Sequence, residues 1–230
     1  MRHAQALLDK AEQADSYVQR CQASPVNARA RSFCQYTLWN DQTLGNKAGT
    51  LIDLAKGVTV LILAPSAEGG MPHTRPHKII CLPAHFPESR LASTLKHELV
   101  HIDQRTNPEA WRIRLAAEGW TPTDAQDVPK EWLSRVRINP DTNAAQFWAW
   151  KGRYIPLPLF EREDKPALRE IVVRWWDSHE QRLNSSIPTS FTQKYGHLGA
   201  SASSIEHPYE LYAYHLDEWT RSRLEGPTSS

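Results

Sequence analysis

The stretch Ser89–Arg105, SRLASTLKHELVHIDQR, decides how the rest of this chain is read. Leu91, Leu95, Leu99 and Ile102 recur at helical spacing. They fall within roughly 80° of one another at about 100° per residue, forming a stripe that can face a core. His97 and His101 are one helical turn apart, so both imidazoles leave the helix on one side, away from that stripe. Two imidazoles so placed can hold one metal ion, and Glu98 flanks them without having to be a ligand. Lys96 and Asp103 fall on a third, solvent-facing side. The segment is therefore a helix with two tasks, one in packing and one in chemistry.

Working outward, Val58–Ala64 (VTVLILA) is a β-branched, apolar run that reads as a strand buried on both faces. Lys78–Leu82 (KIICL) is a second short strand, stopped by Pro83. Glu68-Gly69-Gly70 and the Pro/His-rich residues to Pro76 form a loop or turn. His73, His77 and His85 share no regular face across these prolines and read as solvated, while Cys81 reads as a buried, inert thiol. Helices are expected over Ala4–Cys21, Ala28–Trp39 and Glu109–Glu118, the last separated from the central helix by Asn107-Pro108 and ended by Gly119. Thr121–Pro129 reads as a linker. Phe147–Trp150 and Tyr154–Phe160 form a hairpin around Gly152, with Pro156 and Pro158 assigning the second strand to an edge. The remainder reads as a helix over Asp164–Asn184, a loop over Ser185–Ser204, and a last helix over Pro208–Leu224 before Gly226-Pro227. The expected class is α+β, one domain over residues 1–230. Its strands and the central helix lie before about residue 106, and a mainly helical part follows.

Composition narrows the function. The chain is 40% hydrophobic and 23% charged, which excludes wholesale disorder. No run approaches the roughly 18 apolar residues of a membrane span, and the amphipathic start carries no secretion signal. Three cysteines at no metal-like spacing fit a reducing compartment. With 27 basic against 26 acidic residues, net +1, nothing in the charge calls for nucleic acid. The tryptophan pairs Trp148/Trp150 and Trp175/Trp176 are assigned to packing.

A catalytic zinc site needs a third protein ligand and an open position. Gln104 and Asn107 stand where an extended three-histidine motif would need glycine and histidine, which excludes that form. Glu210, early in the last helix in Glu206-His-Pro-Tyr-Glu-Leu-Tyr-Ala-Tyr-His215, is the best-placed candidate. Ala213 beside it permits close approach of the two helices. Glu118, Glu206 and His207 are the alternatives. Tyr195, His197, His207, Tyr212 and Tyr214 are candidates for a second oxyanion donor, with Tyr214 sharing the face of Glu210 one turn on.

His97–His101 together with Pro208-Tyr-Glu210-Leu-Tyr-Ala213 resembles the gluzincin zinc metallopeptidases. The wider set of HELVHIDQR, Trp111 to Trp120, Asn139-Pro-Asp-Thr142, the aromatic hairpin and HPYELYAY is similar to metallopeptidase-like proteins of large DNA viruses and some microbes. The separation between His101 and Glu210 is much longer than in thermolysin-like members. The resemblance implies a zincin-like fold and one zinc ion held by His97, His101 and Glu210. It implies a water activated by that ion, with Glu98 as general base. It also implies that Lys78–Leu82 corresponds to the edge strand along which an extended peptide pairs. The expected partner is a protein or peptide substrate, not a membrane, and the expected place is intracellular: cytoplasmic or, for a viral chain, in the virion. The alternative is a zincin-fold structural or interaction protein without activity.

Overall fold

Leu61 and Leu63 point to one side of their strand and Val60 and Ile62 to the other, and both sides are covered. That is why the run has no polar face. The computed structural model describes residues 2–43, 57–199 and 201–215. Helices α1 (Arg2–Asp15), α2 (Tyr17–Ala23) and α3 (Pro25–Ala30) precede a four-stranded sheet of β1 (Leu38–Thr43), β2 (Thr59–Leu63), β3 (His73–Arg75) and β4 (Ile79–Pro83). Its order is β1-β2-β4-β3, with β2 and β4 parallel and the outer pairs antiparallel. On one face, Leu8 and Ala11 of α1 pack on Leu61, Leu63, Ile79 and Cys81. On the other, α4 (Glu88–Thr106) lays Leu91, Leu95 and Ile102 on Ile80 and Leu82, with Leu99 beside them. Each such leucine or isoleucine contributes about 1.5–3 kcal/mol on burial, enough to fix the roll of α4 about its axis.

α5 (Pro108–Glu118) ends at Gly119, whose φ of 102° suits a residue without a Cβ. A second, five-stranded antiparallel sheet follows: β5 (Trp120–Pro122), β6 (Trp148–Trp150), β7 (Tyr154–Phe160), β8 (Ile171–Asp177) and β9 (Arg182–Asn184), in that order. Short helix α6 (Lys130–Leu133) lies between β5 and β6. α7 (Thr189–Tyr195), α8 (Ala202–Ile205) and α9 (Pro208–Tyr214) complete the described chain. One face of this sheet carries an aromatic core of Trp120, Trp148, Trp150, Trp175, Phe191 and Tyr195. The opposite face packs Ala149, Ile155, Leu157, Leu159 and Trp176. The mixed α and β composition with small sheets is as expected; the mainly helical part expected after residue 106 is not, because β5 to β9 form a five-stranded sheet there, and several boundaries also differ.

The helix expected over Asp164–Asn184 is instead the hairpin of β8 and β9. Ile171-Val172-Val173 and Trp175-Trp176 are β-branched and aromatic, and the second sheet buries both sides of them: Val173 and Trp175 on one face, Val172 and Trp176 on the other. Strand alternation, not a helical face, separates the two tryptophans. β7 is not an edge strand, since β6 and β8 flank it. Yet β6 pairs with it only at Tyr154. Pro158 turns its carbonyl toward Arg137 N–H, away from β8, and Pro156 shares its parity. Both prolines thus lack an N–H only on the side where β6 has ended, so the rule that produced the edge assignment is obeyed locally.

Smaller corrections follow the same logic. The first helix breaks at Ser16 (φ 49°), where Glu12 accepts from the backbone N–H groups of Val18 and Gln19. The helix expected over Ala28–Trp39 stops at Ala30, and Leu38 already belongs to β1. Ser185–Ser204 contains α7, whose Phe191 and Tyr195 fill the aromatic core. His73 is not solvated: it is buried in β3, with Nε2 2.9 Å from Tyr36 Oη. His77 and His85 are exposed. Beyond His215 the expected last helix lies outside the described residues.

Candidate metal centre

Because the leucine stripe fixes α4 on the sheet, His97 and His101 project from its other side toward α9. Helix α9 starts at Pro208, whose missing N–H costs nothing at a first helical position. The ring Nδ1 of His207 accepts from Tyr209 N–H as its cap. Leu211 and Tyr212 anchor α9 in the aromatic core, and Glu210 faces α4. The result is a tight convergence. His97 Nε2 and His101 Nε2 are 3.1 Å apart, and Glu210 Oε2 lies 3.4 Å from the first and 3.6 Å from the second. Among the described residues, this is the one group of three such side chains whose ligand atoms come within 4.8 Å of each other.

Neighbouring groups prepare these atoms. Gln104 Oε1 sits 2.7 Å from His101 Nδ1, while Gln104 Nε2 donates to the Tyr209 carbonyl. The second bond fixes the amide orientation, so His101 Nδ1–H donates to Gln104 and Nε2 is the ring atom turned toward His97 and Glu210. Two imidazole Nε2 atoms and a carboxylate oxygen directed at one point can share a metal cation or, without one, a proton. The local charge agrees. Burial opposes protonation of His101, yet Glu210 and Asp141 outweigh it and push the imidazole up to about 10. Burial would raise the Glu210 carboxyl, but His101 and His97 hold it well below the usual range. Two nitrogen donors and one carboxylate form a set that suits zinc, with room for a further ligand on the cleft side.

That cleft has a volume of about 550 Å³, and His97, Glu98, Glu210 and Tyr214 all line it. Glu98 is buried, and its Oε2 has no hydrogen-bond partner among the described residues. Burial pushes its carboxyl well above the usual range; Asp141 and Glu210 add to this, against His101 and Arg105. A carboxyl with one unpartnered oxygen and a raised proton affinity is suited to exchanging a proton with a molecule in the cleft. The Tyr214 ring meets the His97 ring edge-on at 4.6 Å between centroids. Partial burial, with the carboxyls of Glu210, Glu206 and Glu98 adding to it, pushes its phenol up to about 12, which keeps the hydroxyl a donor near neutrality.

The other candidates lie elsewhere. Tyr195 is buried in the aromatic core against Trp150 and Phe191, and His197 is exposed on the turn after α7. Tyr212 packs on Trp111, and His207 serves as the α9 cap. Glu118 pairs with Lys194 and Glu206 with Arg137, so neither joins the histidines. The peptide-pairing strand also needs correction: Lys78–Leu82 becomes β4, which is internal, and β3 is the edge. Nor is that edge free. Thr74 N–H and its hydroxyl both donate to Asp141 Oδ1 at 2.6 Å, Arg105 donates to the Thr74 carbonyl, and Pro72 and Pro76 on either side have no N–H.

Gln104, Asn139 and Asp141 were not assigned roles from sequence. Asn139-Pro-Asp-Thr142 enters the sequence reading only as part of the wider resemblance, and only the fold brings Asn139 beside α9. Asp103, expected at the surface, is exposed and accepts from Trp111 Nε1. Cys81 is buried, and burial pushes its thiol up to about 12, as expected of an inert cysteine. Among the described residues, no helix is long and apolar enough to cross a membrane. Comparison with protein-family models, with curated proteins and with solved structures finds no match to this chain.

Proposed function

We propose that this chain is a zinc-dependent endopeptidase of gluzincin type on a zincin-like fold, with His97, His101 and Glu210 as ligands and Glu98 as general base. One observation carries the reading: the three candidate ligand atoms converge at a cleft that Glu98 also lines, and Glu98 Oε2 is buried there with no hydrogen-bond partner among the described residues. A buried polar oxygen left without a hydrogen bond costs about 1–3 kcal/mol, and such groups concentrate at functional sites. When bound, zinc would polarise the scissile carbonyl and make water acidic enough to attack near neutral pH.

The chain's own residues supply the rest. Gln104 sets the tautomer of His101. Glu98 takes a proton from water and returns it to the departing amine. Tyr214, at the cleft and next to His97, donates toward the carbonyl oxygen as negative charge develops there. With the β3 edge closed by Asp141, a substrate backbone engages the cleft lined by Phe86, by Ser93 and Thr94 of α4, and by Met71 and Ile171.

Elemental analysis of protein purified without chelator or histidine tag tests the metal first, with about one zinc per chain expected. A peptide-library digest with Glu98→Gln as control tests the chemistry. That variant keeps its zinc and loses cleavage. Equal cleavage by Glu98→Gln would refute the mechanism. Zinc without any cleavage would leave a structural or interaction role.

A further inference from the structure

Among the described residues no arginine or lysine forms an ion pair with Glu210, whose Oε2 faces only His97 and His101, and its neighbours account for this. Arg137 grips Glu206 with two bonds, at 2.6 and 2.7 Å, which neutralises that buried carboxylate. The amide of Asn139 stands between the two acids. Its Nδ2 donates to Glu206 Oε1 at 2.9 Å and to Glu210 Oε1 at 2.8 Å. Its Oδ1 accepts the backbone N–H of Asp141 at 2.9 Å, so the amide cannot turn over without losing all three bonds. Asp141 is itself tied to Thr74 of β3. The chain of contacts therefore runs from the sheet edge through Asn139 to Oε1 of Glu210, and leaves Oε2 alone facing His97 and His101.

We infer that Asn139 is a positioning residue that occupies one oxygen of Glu210 and so presents the other as a single-atom ligand to a divalent cation. This rests on the metal reading above. A carboxylate with both oxygens free can swing to chelate through both, filling the position that water or substrate needs. Holding Oε1 on an amide prevents that, and an amide, unlike a lysine or arginine, does so without cancelling the charge that attracts the ion. The pairing of Glu206 with Arg137 has the same effect. It removes a rival carboxylate that would otherwise compete for the amide or for the metal.

The test is zinc affinity by competition with a chromophoric chelator, together with the visible spectrum of the cobalt(II)-loaded protein. Wild type, Asn139→Ala, Asn139→Ser and His97→Ala are compared, each with the melting temperature of its metal-free form. Expected is a loss of zinc affinity of about 10- to 100-fold in both Asn139 variants. Their cobalt bands should weaken and shift, as they do when coordination number rises, while the metal-free melting temperatures stay within a few degrees of wild type. A purely structural role would lower those melting temperatures and leave the cobalt spectrum unchanged, which would overturn the proposal. Unchanged affinity and spectrum would overturn it too, with the metal reading intact. Failure of wild type to bind zinc, or equal binding by His97→Ala, would overturn both.

Discussion

Gln104 Oε1 lies 2.7 Å from His101 Nδ1, one helical turn further along α4, and its amide nitrogen is held by the Tyr209 carbonyl of α9. A single side chain thus fixes the orientation of the imidazole and ties together the helices that carry His101 and Glu210. Gln104→Leu removes both bonds at nearly constant volume. Zinc affinity should fall about 10- to 100-fold, measured by chelator competition. Affinity equal to wild type would show that packing alone orients His101.

Metal removal should also be visible in stability. Without a cation, Glu210 and the two imidazoles must satisfy one another through a proton. At a free zinc concentration 100 times the dissociation constant, the bound form gains about 2.7 kcal/mol. For a chain of this size that is a rise of about 5–10 °C in melting temperature. Scanning calorimetry with and without chelator checks it. His97→Ala should show little difference between the two conditions.

Tyr214→Phe keeps the ring against His97 and removes only the hydroxyl. The side chain is 52% exposed, so its donor is screened and its loss should cost about 10²-fold in kcat, with KM little changed. A rise in KM at constant kcat would instead make the hydroxyl a substrate-binding group.

Asp177, at the end of β8, sets an acid limit on the second sheet. Hydrogen bonds from Arg153, with burial opposing and the N–H groups of Glu180 and His179 assisting, hold its carboxyl down to about 2. A depressed folded-state value means stability that is present above pH 4 and lost as pH falls from about 4 toward 2. The Arg153 side chain is 30% exposed, so solvent screens the pair. Urea unfolding of Asp177→Asn should therefore show a small deficit at pH 6 that shrinks below pH 4. A deficit independent of pH would assign the effect to geometry rather than charge.

Local pattern made α4 legible. Its leucine stripe and the four-residue spacing of its histidines are consequences of helical geometry, and both packing and convergence follow from them. The same holds for β2 and β4, whose uninterrupted apolar runs require cover on two faces. Residues 171–184 were misread because a helix cap at Asp164 and a run of mixed apolar residues satisfy helix rules equally well. Burial of both faces of Val172–Trp176, a long-range fact, makes them a strand.

Helical spacing alone places the two imidazoles and the acid between them, because all lie within one turn of a single element. The residue types also point to Glu210 as a third partner. That Glu210, rather than Glu118 or Glu206, meets the histidines follows from long-range packing. That choice depends on which carboxylates an arginine or lysine already holds and on the approach of α9 to α4 across more than a hundred residues of chain. Spacing rules do not reach that far. The position of Glu210 is set by the packing of Leu211 and Tyr212 in the aromatic core and by the amide of Asn139.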